Sequence, residues 1–235
     1  MTDKIAGVLG GMGPEATVDF MARVIAATPA STDQEHVRLL VDQNPKVPSR
    51  QAAQAGKGED PGPVMVAMAK GLEQAGADFL VMPCNTAHAF AQSVRSAVSI
   101  PLVSIIDVTV DACRQFEHIG VLTTPGCLDA GLYQEALAAA GLAAVLPDDA
   151  EVADLMRLVD AVKAGDRGES IARGMQSLAS ALVDRGAQAI VAACTEIPLV
   201  LTPAMLDVPL VSSTDVLAEV TVAIATGARP LNLVS

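Results

Sequence analysis

The sequence predicts an α/β protein of two similar lobes, each a roughly four-stranded parallel sheet flanked by helices, related by a pseudo-twofold axis. Three observations lead there. Short runs rich in Val, Ile and Leu alternate with amphipathic stretches, the pattern of βα units feeding a parallel sheet buried on both faces. The first half of the chain also recurs in the second. Gly7-Val8-Leu9 with Gly13 returns as Gly120-Val121-Leu122 with Gly126, and Gly76-Ala77 with Cys84 as Gly186-Ala187 with Cys194. Pro101-Leu102-Val103-Ser104 with Asp107 returns as Pro209-Leu210-Val211-Ser212 with Asp215. The offsets of 113, 110 and 108 residues are nearly constant, and far too long for a solenoid repeat. Third, Gly76, Gly141, Gly165 and Gly186 stand where C-terminal glycines stop helices.

In chain order, strands are expected at Ile5 to Leu9, Val37 to Asp42, Phe79 to Met82 and Leu102 to Ile105, then at Ile119 to Leu122, Ala143 to Leu146, Ala189 to Ala192 and Leu210 to Ser212. That makes four per copy. A period of 3.6 residues predicts helices over Val64 to Gln74, Thr86 to Ala97, Leu128 to Ala140, Ala153 to Lys163, Ser170 to Arg185 and Asp215 to Ala225. A crossing near Thr109 to His118 joins the halves, and the last helix is expected to pack back on the first. The expected lobes are therefore residues 1–110 with 213–235, and residues 111–212.

Half the 235 residues are apolar, ample for a buried core. A net charge of -12, a single Tyr and no Trp exclude a nucleic-acid surface, which needs a positive footprint and stacking aromatics. The start, MTDKIAGVLGGMG, has neither a cationic segment nor a continuous apolar run, and no stretch approaches the roughly 20 apolar residues that cross a bilayer. The expectation is a cytoplasmic protein that engages no membrane. In that reducing compartment four cysteines without CxxC spacing or Cys/His clustering are free thiols, with no metal site. Cys113 and Cys127 are expected to be small buried hydrophobes.

Ligand crevices of open parallel sheets lie beyond the carboxyl ends of the strands. Gly10 to Pro14, Cys84 to Thr86, Thr123 to Gly126 and Cys194 to Glu196 all fall there. Lobes facing each other would bring both cysteines into one cleft, as an acid/base pair that inverts a carbon by removing a proton from one face and returning one to the other. The same placement puts each cysteine before a helix start, where the helix dipole would favour thiolate. Charge developing on a substrate carboxylate needs donors, for which Asn85, Thr86, Thr124 and Thr195 are candidates. Arg50, in the loop NPKVPSRQ, could clamp a second carboxylate, and Met12 in the glycine-rich turn is a candidate substrate contact. His88, four residues after Cys84, either supports a thiolate as an imidazolium or packs a helix. Glu196 either orients Cys194 or a substrate ammonium, or caps a helix. GGMGP lacks both GxGxxG spacing and a Walker lysine, so it reads as a turn for close backbone approach to a small anion rather than as a nucleotide site.

These segments resemble the cofactor-independent aspartate/glutamate racemase family. GVLGGMGP, DQEH (Asp33 to His36), NPKVPSR, KGEDP (Lys57 to Pro61), MPCNTAH (Met82 to His88) and ACTEIPL (Ala193 to Leu199) match its signatures in order across nearly the whole chain. CTE after the second cysteine looks like the aspartate-racemase branch. The resemblance implies a two-lobed homodimer that racemises a small carboxylate amino acid, aspartate, glutamate or a relative, without pyridoxal phosphate or any other cofactor. It implies Cys84 and Cys194 as the acid/base pair, Asn85 and Thr86 at the α-carboxylate, Arg50 at a carboxylate and Lys163 at the substrate's other end. Where the family commonly reads PDRT, this chain has Pro48-Ser49-Arg50-Gln51, which bears on side-chain preference. The alternatives are a decarboxylase or isomerase of dicarboxylates on the same fold, and a non-catalytic protein that binds small carboxylates.

Overall fold

The computed structural model describes residues 3–231. Residues 1–2 and 232–235, which the expected lobe boundaries include, lie outside the described residues. The chain divides into two compact units, one of residues 1–108 with 214–235 and one of residues 109–213.

The first unit runs β1 (Ala6–Gly10), α1 (Pro14–Ala27), β2 (Leu39–Gln43), α2 (Arg50–Gln54), α3 (Gly62–Gln74), β3 (Phe79–Val81), α4 (Ala91–Arg95) and β4 (Leu102–Val103), and the chain leaves it within α5 (Ile105–Ala112). The second runs β5 (His118–Leu122), α6 (Pro125–Asp129), α7 (Leu132–Ala139), β6 (Ala143–Val145), α8 (Asp149–Lys163), α9 (Glu169–Asp184), β7 (Ala189–Ala192) and β8 (Leu210–Ser212). The chain then returns along α10 (Ser213–Ala225), whose end accepts a backbone hydrogen bond from Lys4 (2.9 Å). Arg23 of α1 pairs with both Asp19 and Asp215.

Each unit holds one four-stranded sheet, in the orders β2-β1-β3-β4 and β6-β5-β7-β8, with every pairing parallel. The two orders are the same order, offset by one repeat. All eight expected strands form, with ends within two residues of the expected ones, because continuous apolar runs mark strands buried on both faces. β1, β3 and β7 are buried along their whole length.

The repeated glycine of the central strands explains the match. A Cβ added at Gly7 would stand 2.8 Å from Leu80 Cδ2, 2.9 Å from Ala77 Cβ and 3.3 Å from Leu72 Cβ. At Gly120 it would stand 2.5 Å from Ile190 Cδ1, 3.0 Å from Ala187 Cβ and 3.1 Å from Leu182 Cβ. In both units the helix preceding the third strand comes so close to the central strand that no side chain fits there. The helices end as the glycines predict: Gly76, Gly141, Gly165 and Gly186 all have φ between 77° and 97°.

Three helical expectations need correction. The segment expected as one helix over Thr86 to Ala97 is a 3-10 turn, Thr86–Phe90, followed by α4. The His88 ring bonds to the Cys84 carbonyl, so the His88 amide bonds instead to Asn85 O (3.0 Å), one residue short of α-helical spacing. The expected Leu128 to Ala140 helix breaks at Gly131 (φ 66°) into α6 and α7. The crossing at Thr109 to His118 begins inside α5, and Ile105, expected as the end of a strand, is its first residue. Sequence periodicity also missed α1, although Pro14 at its first position and Glu15 in its first turn were the signal. Its face away from the core carries Val18 and Ile25, each 57 % exposed, which blurs the apolar stripe of Ala16, Thr17, Phe20 and Val24.

Gly7→Ala and Gly120→Ala are expected to destabilise the protein by about 1–3 kcal/mol each through overpacking. Gly71→Ala, exposed in the interior of α3 with nothing near its would-be Cβ, should stabilise it by roughly 0.5–1 kcal/mol. Urea unfolding of the three variants checks the order; a neutral Gly120→Ala would contradict the close-approach account.

Candidate active-site segments

In the first unit β3 delivers the chain through Met82 and Pro83 to Cys84, whose amide bonds Met82 O at 2.8 Å. Cys84, Asn85, Thr86 and His88 are all buried, and Cys84 shares an apolar cluster with Met12, Val47, Met82 and Ala87. Met12 is thus in the cluster of the first thiol. Arg50 is the first residue of α2, not a loop residue, and α2 packs against the turn that follows Cys84. Its guanidinium is held from behind, donating from one terminal nitrogen to the carbonyls of Val47 (3.1 Å) and Pro48 (2.8 Å). Its Nε is buried without a hydrogen-bond partner. A buried, unsatisfied cationic donor costs about 1–3 kcal/mol or more, and an incoming carboxylate would relieve that cost. Ser49 caps α2, accepting from the Ala52 amide at 3.2 Å. The departure from the PDRT pattern at position 49 therefore falls on a residue employed in holding the helix that carries Arg50.

The glycine-rich turn serves the chain itself. Gly11 has φ 90°, and a Cβ there would lie 2.4 Å from the Asn44 backbone. The Gly11 amide donates to Thr17 Oγ1 (2.9 Å), which in turn donates to Gly13 O (3.1 Å). The close approach at Gly11 is made to Asn44 and Thr17.

His88 also departs from one of its two expected roles. Ile105 N–H donates to its Nε2 (3.2 Å), so Nδ1 carries the proton and donates to the Cys84 carbonyl (2.9 Å). Burial, the largest influence, pulls its pKa from 6.5 to about 4. The ring is a neutral clamp between the Cys84 backbone and the start of α5, and does not support a thiolate as an imidazolium.

In the second unit β7 delivers Cys194. Three backbone carbonyls and amides at its end are tied down: Ala193 N–H donates to Leu122 O (2.9 Å), Thr123 Oγ1 to Ala193 O (3.0 Å) and Ser213 Oγ to Ala192 O (2.9 Å). Thr123 and Ser213 were not singled out from sequence. Their signal was the doubled hydroxyl in Thr123-Thr124 and Ser212-Ser213, at the ends of β5 and β8. Thr124 is buried at the N-cap of α6, Thr195 is buried beside Cys194, and Lys163 is the exposed last residue of α8.

Cys194 Sγ donates to Glu196 Oε2 at 3.0 Å, and Thr195 Oγ1 donates to the same oxygen at 3.3 Å. Both Cys194 and Glu196 are buried. Burial first, then the Glu196 carboxylate, push this thiol well above its ordinary pKa, against the smaller pull of the Glu196 backbone N–H and of Lys163. The expectation of a thiolate favoured by a helix start therefore fails here. Only a three-residue 3-10 turn, Ile197–Leu199, follows, and so short a turn carries little dipole. The other two cysteines, Cys113 and Cys127, are buried and outside any disulfide, and burial pushes Cys113 up to about 11. Among the described residues no group of three or more His, Cys, Asp or Glu is arranged to hold a metal, and no helix is long and apolar enough to cross a membrane.

Known proteins resemble this chain along most of its length. The family model for Asp/Glu/Hydantoin racemase matches residues 9–221. The chain belongs to this family. A broad specificity amino-acid racemase, RacX, of Bacillus subtilis is 27% identical over 227 residues, covering 92% of this chain and 96% of that one. The solved aspartate racemase of Picrophilus torridus is 28% identical, with a TM-score of 0.86 over 95% of this chain and 94% of that one. A glutamate racemase of Francisella tularensis solved with D-glutamate shares the fold, with a TM-score of 0.71 at 16% identity over 97% of this chain and 83% of that one. The matched span includes the segments that carry both cysteines.

The His88 clamp has a pH consequence. The folded state holds His88 neutral, so stability is full above pH 6.5 and is lost as the pH falls toward about 4, where the unfolded chain binds the proton first. The loss is on the order of 3 kcal/mol. His88→Gln should flatten that part of the stability–pH curve measured by urea unfolding; an unchanged slope would refute the clamp.

Proposed function

We propose that the protein racemises aspartate, glutamate or a related small amino acid without a cofactor, with Cys84 and Cys194 as its acid/base pair. The observation that carries this is the duplicated one: in each unit a buried cysteine follows within three residues of the end of the third strand, in a chain that belongs to a racemase family. The names of its relatives, a broad specificity amino-acid racemase and an aspartate racemase, support an amino-acid substrate.

In this mechanism one cysteine takes the α-proton as a thiolate while the S–H of the other delivers a proton to the opposite face. The bond from Cα to hydrogen breaks on one side and forms on the other, and no electrons leave the substrate. Charge gathers on the α-carboxylate as the proton departs, and Asn85, Thr86, Thr124 and Thr195 are the neutral donors assigned to it. Arg50, with its unpartnered Nε, receives a carboxylate, Met12 lines the first thiol's surroundings, and Lys163 and Glu196 bring charge to the second. A homodimer acting in the cytoplasm completes the proposal.

Cys84→Ser and Cys194→Ala should each cut racemisation by roughly 10²- to 10⁴-fold, the usual worth of a positioned acid or base, while circular dichroism and thermal unfolding remain near wild type. Full activity in either variant contradicts the proposal. Arg50→Lys should lower kcat/KM by about 10- to 100-fold, since an ammonium does not reproduce the guanidinium fork. Chiral chromatography of the products measures both.

A further inference from the structure

The repeat supplies its own control for the two thiols. Counting onward from each cysteine, Cys84-Asn85-Thr86 stands against Cys194-Thr195-Glu196, so the second position after the thiol is a hydroxyl in one unit and a carboxylate in the other. The backbone frames agree: each cysteine follows the third strand of a sheet of the same order and precedes a 3-10 turn. The side chains do not agree. Glu196 turns back on Cys194 and accepts its S–H at 3.0 Å, and both groups are buried.

We infer that Glu196 makes the two thiols unequal, holding Cys194 protonated so that it is the proton donor of the resting enzyme and leaving Cys84 to receive the substrate's proton. This rests on the two-thiol reading above. Losing the Cys194 proton would put a thiolate and a carboxylate 3.0 Å apart in an apolar cluster that includes Leu122, Val162, Ile190 and Ile197. The charged groups acting on the thiol are Glu196 and, from the end of α8, Lys163, and burial with Glu196 outweighs the lysine. Beside Cys84 the corresponding residue, Thr86, bears no charge, and His88 is neutral with both ring nitrogens engaged.

During turnover the Cys194 proton goes to Cα and the α-proton goes to the Cys84 thiolate. The resulting Cys194 thiolate next to Glu196 is the unfavourable form. It recovers a proton from water as Cys84 gives one up, which restores the starting state with all protons accounted for. Glu196 is thus a positioning residue: it acts through Cys194, not on the substrate.

The test is a pH titration of the full-length protein carrying ¹³Cβ-labelled cysteine, with the four resonances assigned by single Cys→Ser variants. This reads thiol protonation without reagent access and without substrate. The Cys194 midpoint is expected above that of Cys84 in the wild type, and Glu196→Gln should bring it down by at least about one pH unit, a tenfold rise in thiolate fraction, leaving Cys84 in place. Equal or reversed midpoints in the wild type, including both thiols staying un-ionised throughout, would overturn the inference. So would an unmoved Cys194 in Glu196→Gln. If that variant fails to fold, the wild-type order alone decides. Since no turnover is involved, absence of racemisation would sink the functional proposal and leave this result intact, and the converse also holds.

Discussion

The close approach of a helix to the central strand at Gly7 and at Gly120 governs where everything else can go. With no Cβ on the strand, Leu72 and Ala77, or Leu182 and Ala187, sit directly on the backbone, and the third strand begins two residues later. From Ala77 to Cys84 and from Ala187 to Cys194 the chain has the same length, seven residues, and the same parallel register against the central strand. The position of each thiol relative to its sheet is therefore set by packing in the core. A side chain at either glycine would displace the strand that presents the cysteine, so the repeat of the core contact and the repeat of the thiol are one constraint.

Within equal frames the chemistry diverges through hydrogen bonding. At Cys84 a neutral imidazole grips the backbone carbonyl. At Cys194 it is a carboxylate that grips the sulfur itself. Lys163 opposes the carboxylate, but an exposed ammonium is screened by water, whereas Glu196 is buried and in direct contact. Arg50 shows the same logic at a third position: two backbone carbonyls satisfy one nitrogen, a serine cap fixes its helix, and one buried N–H is left over.

The architecture was legible because its signals were redundant. Continuous Val/Ile/Leu runs gave all eight strands, and the glycines after α3, α7, α8 and α9 gave the helix ends. Helix α1 was not legible, since apolar residues on its exposed side erase the periodicity, and α5 was hidden behind a run of Ile and Val that reads equally as strand. At the candidate site the residue types could be read from motifs and the repeat, but their ionisation could not. Helix-dipole reasoning assumed α-helices after both cysteines, and 3-10 turns follow instead. The reversal at Cys194 depends on the direction of one Glu196 rotamer and on burial, neither of which is visible in a string of residues. Which of its two expected roles His88 takes, the cation or the packing residue, was hidden for the same reason, and burial makes it a neutral clamp.

The central claim is that two thiols move protons across the faces of one α-carbon. Enantiopure aspartate, glutamate and a set of neutral amino acids, each incubated with the protein in heavy water, test it most directly, with α-deuterium and chirality followed together. Inverted product carrying solvent deuterium, formed while the remaining starting enantiomer stays unlabelled at early times, is the predicted result, because a two-base site draws the new hydrogen from the opposite thiol. Deuterium entering both enantiomers equally from the start, inversion without label, or release of carbon dioxide would contradict it.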